Sequence, residues 1–343
     1  MRYIIELPNT KAAMIQTLLD DGRYKDVQSF ILTAIENQLY IEQQPLGDTM
    51  QSSHPEMTVP ATESSLTHLP ASPSDVTTVE EPKQEALGAE TLWALYNRLF
   101  PVKTALRVLL NILNSSSPKD GFVDLTRVQD AATQEAVLLF KVLSRIDKKN
   151  GRMPGEKLTA GLPKPRDRAK DRFRLHFVGS INSKNRLEGA PAILRFVNIR
   201  KDESGKAQIG LTEAGARFAT LENPILDRQD YSSALSAEEA SFYVQHIAKK
   251  LEKEYHLSNV MLKTIASGRN TPDDLTHEIL LLLNLDIETE QAQAIRSSLL
   301  SRLWELGLLT RKRKGLNVTY DLTDRGHELV ATSAHYEPEE GKT

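Results

Sequence analysis

Hydrophobic positions alternate at the start of the chain and then change period. In Arg2–Leu7, Tyr3, Ile5 and Leu7 fall on one side and Arg2, Ile4 and Glu6 on the other, which predicts a short strand with one buried face. Pro8 and Asn9 end it. Ala12, Ile15, Leu18 and Leu19 then give a helical stripe over Thr10–Asp21, and Gly22 stands where a helix C′ glycine belongs. Val27, Phe30, Ile31, Ala34, Ile35 and Leu39 predict a second helix. The pattern then lapses. Residues 43–82 hold six prolines, many Ser and Thr, and no Lys or Arg. Such a segment buries too little apolar surface to offset its ordering entropy, so 43–88 reads as a disordered, flexible linker.

Periodicity returns in residues 89–222. Leu92–Leu113 reads as a helix broken near Pro101, Phe122–Leu125 as an extended piece, and Thr126–Ala132 as a short helix. Thr133 would cap a longer helix in which Val137, Phe140, Leu143 and Ile146 pack inward. On that helix Lys141, Arg145, Lys148, Lys149 and Arg152 fall in one stripe. Arg172–Val178 alternates, with Phe173, Leu175 and Phe177 against Arg172, Arg174 and His176, and predicts a strand. Ile193–Ile199 reads as another, and Ala207–Leu211 as its return after a turn at 201–206. The order helix, strand, short helix, long helix, hairpin resembles a winged helix, whose second helix enters the DNA groove. Gly151–Lys170, with Lys164, Arg166, Arg168 and Lys170, reads as a basic arm that stays loose until it meets a polyanion.

Residues 236–334 repeat the theme. Ser236-Ala237-Glu238-Glu239 has the capping-box form, and Pro272 opens a helix over 275–285. A third helix, about 288–306, buries Ile295, Leu299, Leu303 and Leu306; its opposite face carries Gln293, Arg296, Ser297 and Arg302. A basic turn, Arg311-Lys312-Arg313-Lys314-Gly315, with no acid within four residues, precedes the return strand 317–322. Gly210-Leu211-Thr212-Glu213-Ala214-Gly215 matches Asp321-Leu322-Thr323-Asp324-Arg325-Gly326, each after a hairpin, which suggests a duplicated winged-helix-like module. Residues 335–343 form a tail.

Composition changes the picture in one respect. The net charge is −3, yet residues 141–206 hold 18 basic against seven acidic side chains. This segregation points to a local polyanion surface. The eight histidines are scattered, no phosphate-cradling glycine motif occurs and cysteine is absent, so no catalytic constellation, metal site or cofactor is expected. The longest apolar runs are too short for a membrane helix, and the N-terminal MRYIIELPN lacks a signal-peptide core; a cytoplasmic, non-enzymatic protein is expected.

Residues 1–42 carry a more specific likeness. Arg2-Tyr3-Ile4-Ile5-Glu6-Leu7-Pro8, then Gly22-Arg23-Tyr24-Lys25, Ser29-Phe30-Ile31 and Ala34-Ile35, resemble the ribbon-helix-helix family of Arc and MetJ type. The likeness implies a homodimer in which Tyr3, Ile5, Leu7 and Phe30 are buried between chains and Arg2, Ile4 and Glu6 face the major groove. The unit has six acidic and four basic residues, and Glu6 is repelled by phosphate, so a dimerisation clip and a DNA-contacting ribbon both stand.

The expected fold is thus mainly α: ribbon-helix-helix, flexible linker, two winged-helix-like (α+β) modules. The expected function is that of a sequence-specific, transcription-regulator-like protein on double-stranded DNA. The rivals are a non-catalytic DNA-binding subunit of a larger complex, of plasmid-partition or phage-defence kind, whose winged helices bind protein, and an RNA-binding adaptor.

Overall fold

The computed structural model describes residues 76–283, 287–314 and 317–333, and Ala12, Ile15, Gln16, Leu19, Asp20, 26–28, Phe30 and Ile31 of the N-terminal segment. The chain divides into two compact units, Met1–Glu63 and Ser64–Thr343. In the first, Ala12, Ile15, Gln16, Leu19 and Asp20 are helical, as are Val27, Gln28, Phe30 and Ile31, with Ile15 buried and Phe30 half-buried. The expected strand with Arg2, Tyr3, Ile4, Ile5, Glu6 and Leu7 lies outside the described residues, as do 43–75 of the expected linker and the tail.

The second unit is mainly helical with small sheets. Helix α1 (Phe100–Ser116) leads to strand β1 (Val123–Asp124) and helix α2 (Leu125–Lys149). Helix α3 (Asp167–Phe173) runs into a π-helical turn, Arg174–Val178, then a minimal hairpin, β2 (Ser180–Ile181) and β3 (Leu187–Glu188). Helix α4 (Ala190–Ile193) precedes β4 (Val197–Lys201) and β5 (Ala207–Leu211), and α5 (Glu213–Thr220) and α6 (Pro224–Arg228) follow. Helices α7 (Ala237–Lys250), α8 (Glu252–Ala266), α9 (Pro272–Leu282) and α10 (Thr289–Glu305) lead to hairpin β6 (Leu309–Lys314) and β7 (Asn317–Leu322), then α11 (Asp324–Ser333). One sheet has the order β1-β5-β4, all antiparallel.

Several elements depart from the sequence pattern. Residues 76–88 are part of the fold, not linker: Val79 N donates to Leu211 O at 2.8 Å, Gly88 N to Leu187 O at 2.8 Å, and Leu87 is buried. Residues 91–99 are non-helical and form a strap; α1 begins only at Phe100. The strap's backbone is satisfied by distant side chains. Leu92 N donates to Glu254 (3.2 Å), and Leu92 O and Tyr96 O accept from Arg302 (3.1 and 2.6 Å). Glu305 accepts from Leu99 N (2.5 Å) and Phe100 N (3.3 Å), so a carboxylate from α10 caps α1 at its positive end, and burial pushes that carboxyl's pKa up.

The predicted break before Thr133 is absent. Asp124 caps one continuous helix α2 through Arg127 N (2.8 Å), and Thr133 is buried in it. Arg172–Val178 is helical, not a strand. Phe173 and Phe177, four apart, bring their rings together at 5.6 Å, a contact that helix spacing provides. The third predicted strand starts late, at Val197, because 190–193 coil into α4.

The two expected modules share one core rather than forming separate domains. At their junction Lys103 of α1 uses all three N–H donors, on Glu239 of α7 (2.8 Å), Phe218 O (2.5 Å) and Leu221 O (2.7 Å). Arg107, one turn on, grips Asp227 bidentately (2.6 and 2.9 Å) and Ala219 O (2.7 Å). Both cations thus meet the C-terminal carbonyls of α5, where positive charge is favoured. Burial lowers the Lys103 pKa to about 8 against Glu239's opposing pull, and burial pushes Glu239 up.

The short sequence match is also a match in space. Thr212 Oγ1 accepts from Gly215 N (3.1 Å) and donates to Arg195 O (2.7 Å), while its N–H bonds Phe196 O (3.0 Å). Thr323 Oγ1 accepts from Gly326 N (3.1 Å) and donates to Gly307 O (2.7 Å), while its N–H bonds Leu308 O (3.1 Å). Arg195 and Gly307 are both left-handed, φ 56° and 68°. A Cβ on Gly215 or Gly326 would overlap the Phe196 or Leu308 carbonyl oxygen, so only glycine admits that approach. The correspondence extends upstream. Ile209, three residues before Thr212, pairs Val123, and α2 starts from the Asp124 cap; Tyr320, three before Thr323, donates to Asn270 O (3.1 Å), and α9 starts from the Thr271 cap.

Candidate nucleic-acid interface

Helix α2 buries Val128, Ala132, Ala136, Leu139, Leu143 and Asp147 along one line, with Phe140 and Ile146 on its flank. The opposite line carries Lys141, Arg145, Lys148 and Lys149, all exposed. None of the four forms an ion pair with a described residue. Lys148 and Lys149 also stand in the helix's last turn, where its dipole favours cations.

Arg152 leaves the stripe. It pairs with Asp147 (3.1 Å) and donates to Tyr231 O. Asp147 is 3% exposed and also accepts from Leu158 N (3.1 Å), Thr159 N (3.1 Å) and Thr159 Oγ1 (2.9 Å). The expected loose arm is therefore moored over 152–162, with Leu158 and Leu162 buried. Asp147 is the anchor of this mooring, and in the sequence it stands as a lone acid inside a cationic run. Beyond the mooring, Lys164, Arg166 and Arg168 are exposed. Lys170 pairs with Asp167 (3.1 Å), and Arg174 with Asp171 (3.0 Å) and Asp130 (2.8 Å); Arg172 is exposed. Such exposed pairs contribute about 0–1 kcal/mol each and leave the cations available.

The expected polar face of α10 is divided. Gln293 and Ser297 are exposed. Arg296 is half-buried and turns back onto α9, donating to Pro272 O (2.8 Å) and Thr276 Oγ1 (2.6 Å). Arg302 is 2% exposed, which corrects its assignment to a DNA-facing surface. It pairs with Glu254 at 2.7 Å and also donates to Ser298 Oγ (2.8 Å), because the strap lies along this side of α10. A cation spaced along a helix read as solvated; its partner was 48 residues away.

Arg311, Lys312, Arg313 and Lys314 lie in strand β6 rather than in a turn, and all are exposed. An acid does relieve their crowding: Lys312 pairs across the hairpin with Asp321 at 3.0 Å. Strand alternation sorts the four. Arg311 and Arg313, opposite Tyr320 and Val318, share a face with buried Leu309; Lys312 and Lys314, opposite Thr319 and Asn317, share the other.

Among the described residues no group of three or more His, Asp or Glu side chains is placed to hold a metal ion, and no helix is long and apolar enough to cross a membrane. Comparison with known proteins returns no matching family model, no matching curated protein and no matching solved structure.

Proposed function

We propose that the chain binds double-stranded DNA as a transcription-regulator-like protein of the cytoplasm. In this reading residues 1–42 form a ribbon-helix-helix-like clip between two copies, and residues 76–333 carry two winged-helix-like modules fused into one body. The observation that carries the reading is the double occurrence of one joint: strand, turn, strand, Thr-capped helix, with a glycine seated on the carbonyl where the preceding helix gives way to the hairpin. The β1-β5-β4 order, with a helix starting directly after β1, supports a winged-helix arrangement of the first copy. The exposed, unpaired cations of α2 supply the counter-charge that a phosphate backbone needs.

A second reading, a non-catalytic subunit whose first module binds protein, is favoured by one observation. Helix α4, which occupies the groove-helix position of the first copy, has four residues and all are buried. The test is a titration of the purified chain against its own promoter and a scrambled duplex at one fixed salt. Saturable binding that favours the promoter is the expected result; absence of duplex binding sinks the reading and leaves the protein-binding subunit.

A further inference from the structure

We infer that one duplex-DNA backbone site spans both copies of the repeat. It is made from the end of helix α2 and only one face of strand β6, the arginine face. This rests on the DNA-binding reading above and assigns the parts of the surface within it.

The first observation is the meeting of two cationic segments far apart in sequence. Past Lys149 the chain turns at Gly151 and runs through 153–156. This loop is held against α10: Arg98 donates to Gly155 O (2.5 Å) and to Ser301 O, with its guanidinium 5.0 Å from the centre of the Trp304 ring. The side chain of Arg311 lies over the same loop, with Nη1 3.0 Å from where a Gly155 Cβ would stand. Arg311 thus stands over the loop that continues directly from the Lys148–Lys149 end of α2. Gly155 leaves room for a guanidinium that a larger side chain would displace.

The second observation is the alternation of β6. Arg311 and Arg313 share the face that begins at buried Leu309, so it turns toward the body and its α2 loop. Lys312 and Lys314 point the other way, off the face that meets the α2 loop. Two arginines beside two lysines and two further α2 cations suit a row of phosphates: guanidinium forks bind phosphate oxygens in pairs, and ammonium groups act as point charges. The partner chemistry is therefore a regularly spaced phosphodiester backbone rather than an acidic peptide, whose carboxylates have no such fixed spacing. The lysine face of β6 is outside the site.

The test is fluorescence anisotropy of the full chain on a short random-sequence DNA duplex across a salt series, with thermal melts to confirm folding. Three double variants are compared: Arg311→Ala with Arg313→Ala, Lys148→Ala with Lys149→Ala, and Lys312→Ala with Lys314→Ala. The first two are expected each to weaken binding by about tenfold and to lower the salt slope by about 2, with one binding phase throughout. The third is expected to change affinity by less than about threefold, as for a cation off the backbone path. Equal losses from the arginine and lysine pairs overturn the inference while leaving DNA binding intact. So does a biphasic isotherm in which the two sensitive pairs act on different phases. Tighter binding to duplex RNA of the same length overturns DNA as the partner. Absence of duplex binding by the parent chain overturns this inference and the proposed function together.

Discussion

The two copies of the repeat keep the same joint and differ in what each places before and after it. In the first, the helix leading to the hairpin is four residues long and buried, and the closing helix α5 ends in the core on Lys103 and Arg107. In the second, the leading helix α10 has 17 residues, and the closing helix α11 lies at the surface, with Gly326 the one buried residue over 324–332. The joint is kept by geometry: a threonine that caps one helix also ties down the turn leaving another. The elements around it are free to vary, since nothing in the joint depends on their length. Around its joint the first copy is buried, while the second keeps a long helix and a charged hairpin at the surface.

The sharpest way to break this contrast is at Arg302, which anchors α10 to the strap. Replacing it by Ala leaves Glu254 buried beside the strap without its cation. A loss of about 3–5 kcal/mol is expected in chemical denaturation, as for a broken buried pair. A loss under about 1 kcal/mol, as for an exposed side chain, would mean that α10 is held otherwise. Next come the paired glycines. Gly215→Ala forces an overlap inside the shared core and should cost about 3 kcal/mol, at the upper end for overpacking. Gly326→Ala makes the same overlap near the surface, where α11 can shift, and should cost about 1 kcal/mol less. Equal costs would show that both closing helices are equally fixed.

The most gradual effect, smallest per step of the experiment, lies in the first copy's buried cation. Lys103 has a pKa of about 8 in the folded chain against an ordinary 10.5. Between those values the unfolded chain holds a proton that the folded chain has released, so this group makes stability rise with pH, by at most about 1.4 kcal/mol per unit. Its contribution is lost as pH falls through 8. In denaturation series at several pH values from 7.5 to 10, the parent minus a Lys103→Met variant should rise with pH. A flat or falling difference would show that Lys103 keeps an ordinary affinity for its proton, and that the ion pair to Glu239 outweighs burial.

What the sequence made legible was local. The turn at 201–206, the capping box at Ser236, Pro272 at a helix start and the exposed cations of α2 each follow from spacing within a few residues. The joint is visible as a Thr-x-x-Gly echo because the close approach demands glycine and the cap, which must also donate to a carbonyl, demands a hydroxyl. The illegible parts depended on partners far along the chain. The strap's apolar residues suit a helix, while the groups that hold its backbone in a non-helical course, Glu254, Arg302 and Glu305, lie 162 to 210 residues away. Arg172–Val178 satisfied both periods, since Phe173, Leu175 and Phe177 alternate while Phe173 and Phe177 also stand one helical turn apart. Charge segregation showed that a polyanion surface belonged near 141–206, but not that Arg152 is spent on Asp147 or that β6 sorts its cations by face.

The strap also sets the order in which this unit can acquire its structure. Residues 91–99 are made early, yet the side chains that satisfy their backbone are made only once synthesis has passed Glu305. Until then the N-terminal end of α1 lacks its carboxylate cap, and Leu92, Tyr96 and Leu99 lack the α10 side of their packing. Contacts of such sequence separation slow folding, because a long loop must close before any of them forms. Completion of the first copy must therefore await the second. During that interval the nascent chain presents apolar surface of the kind that chaperones bind.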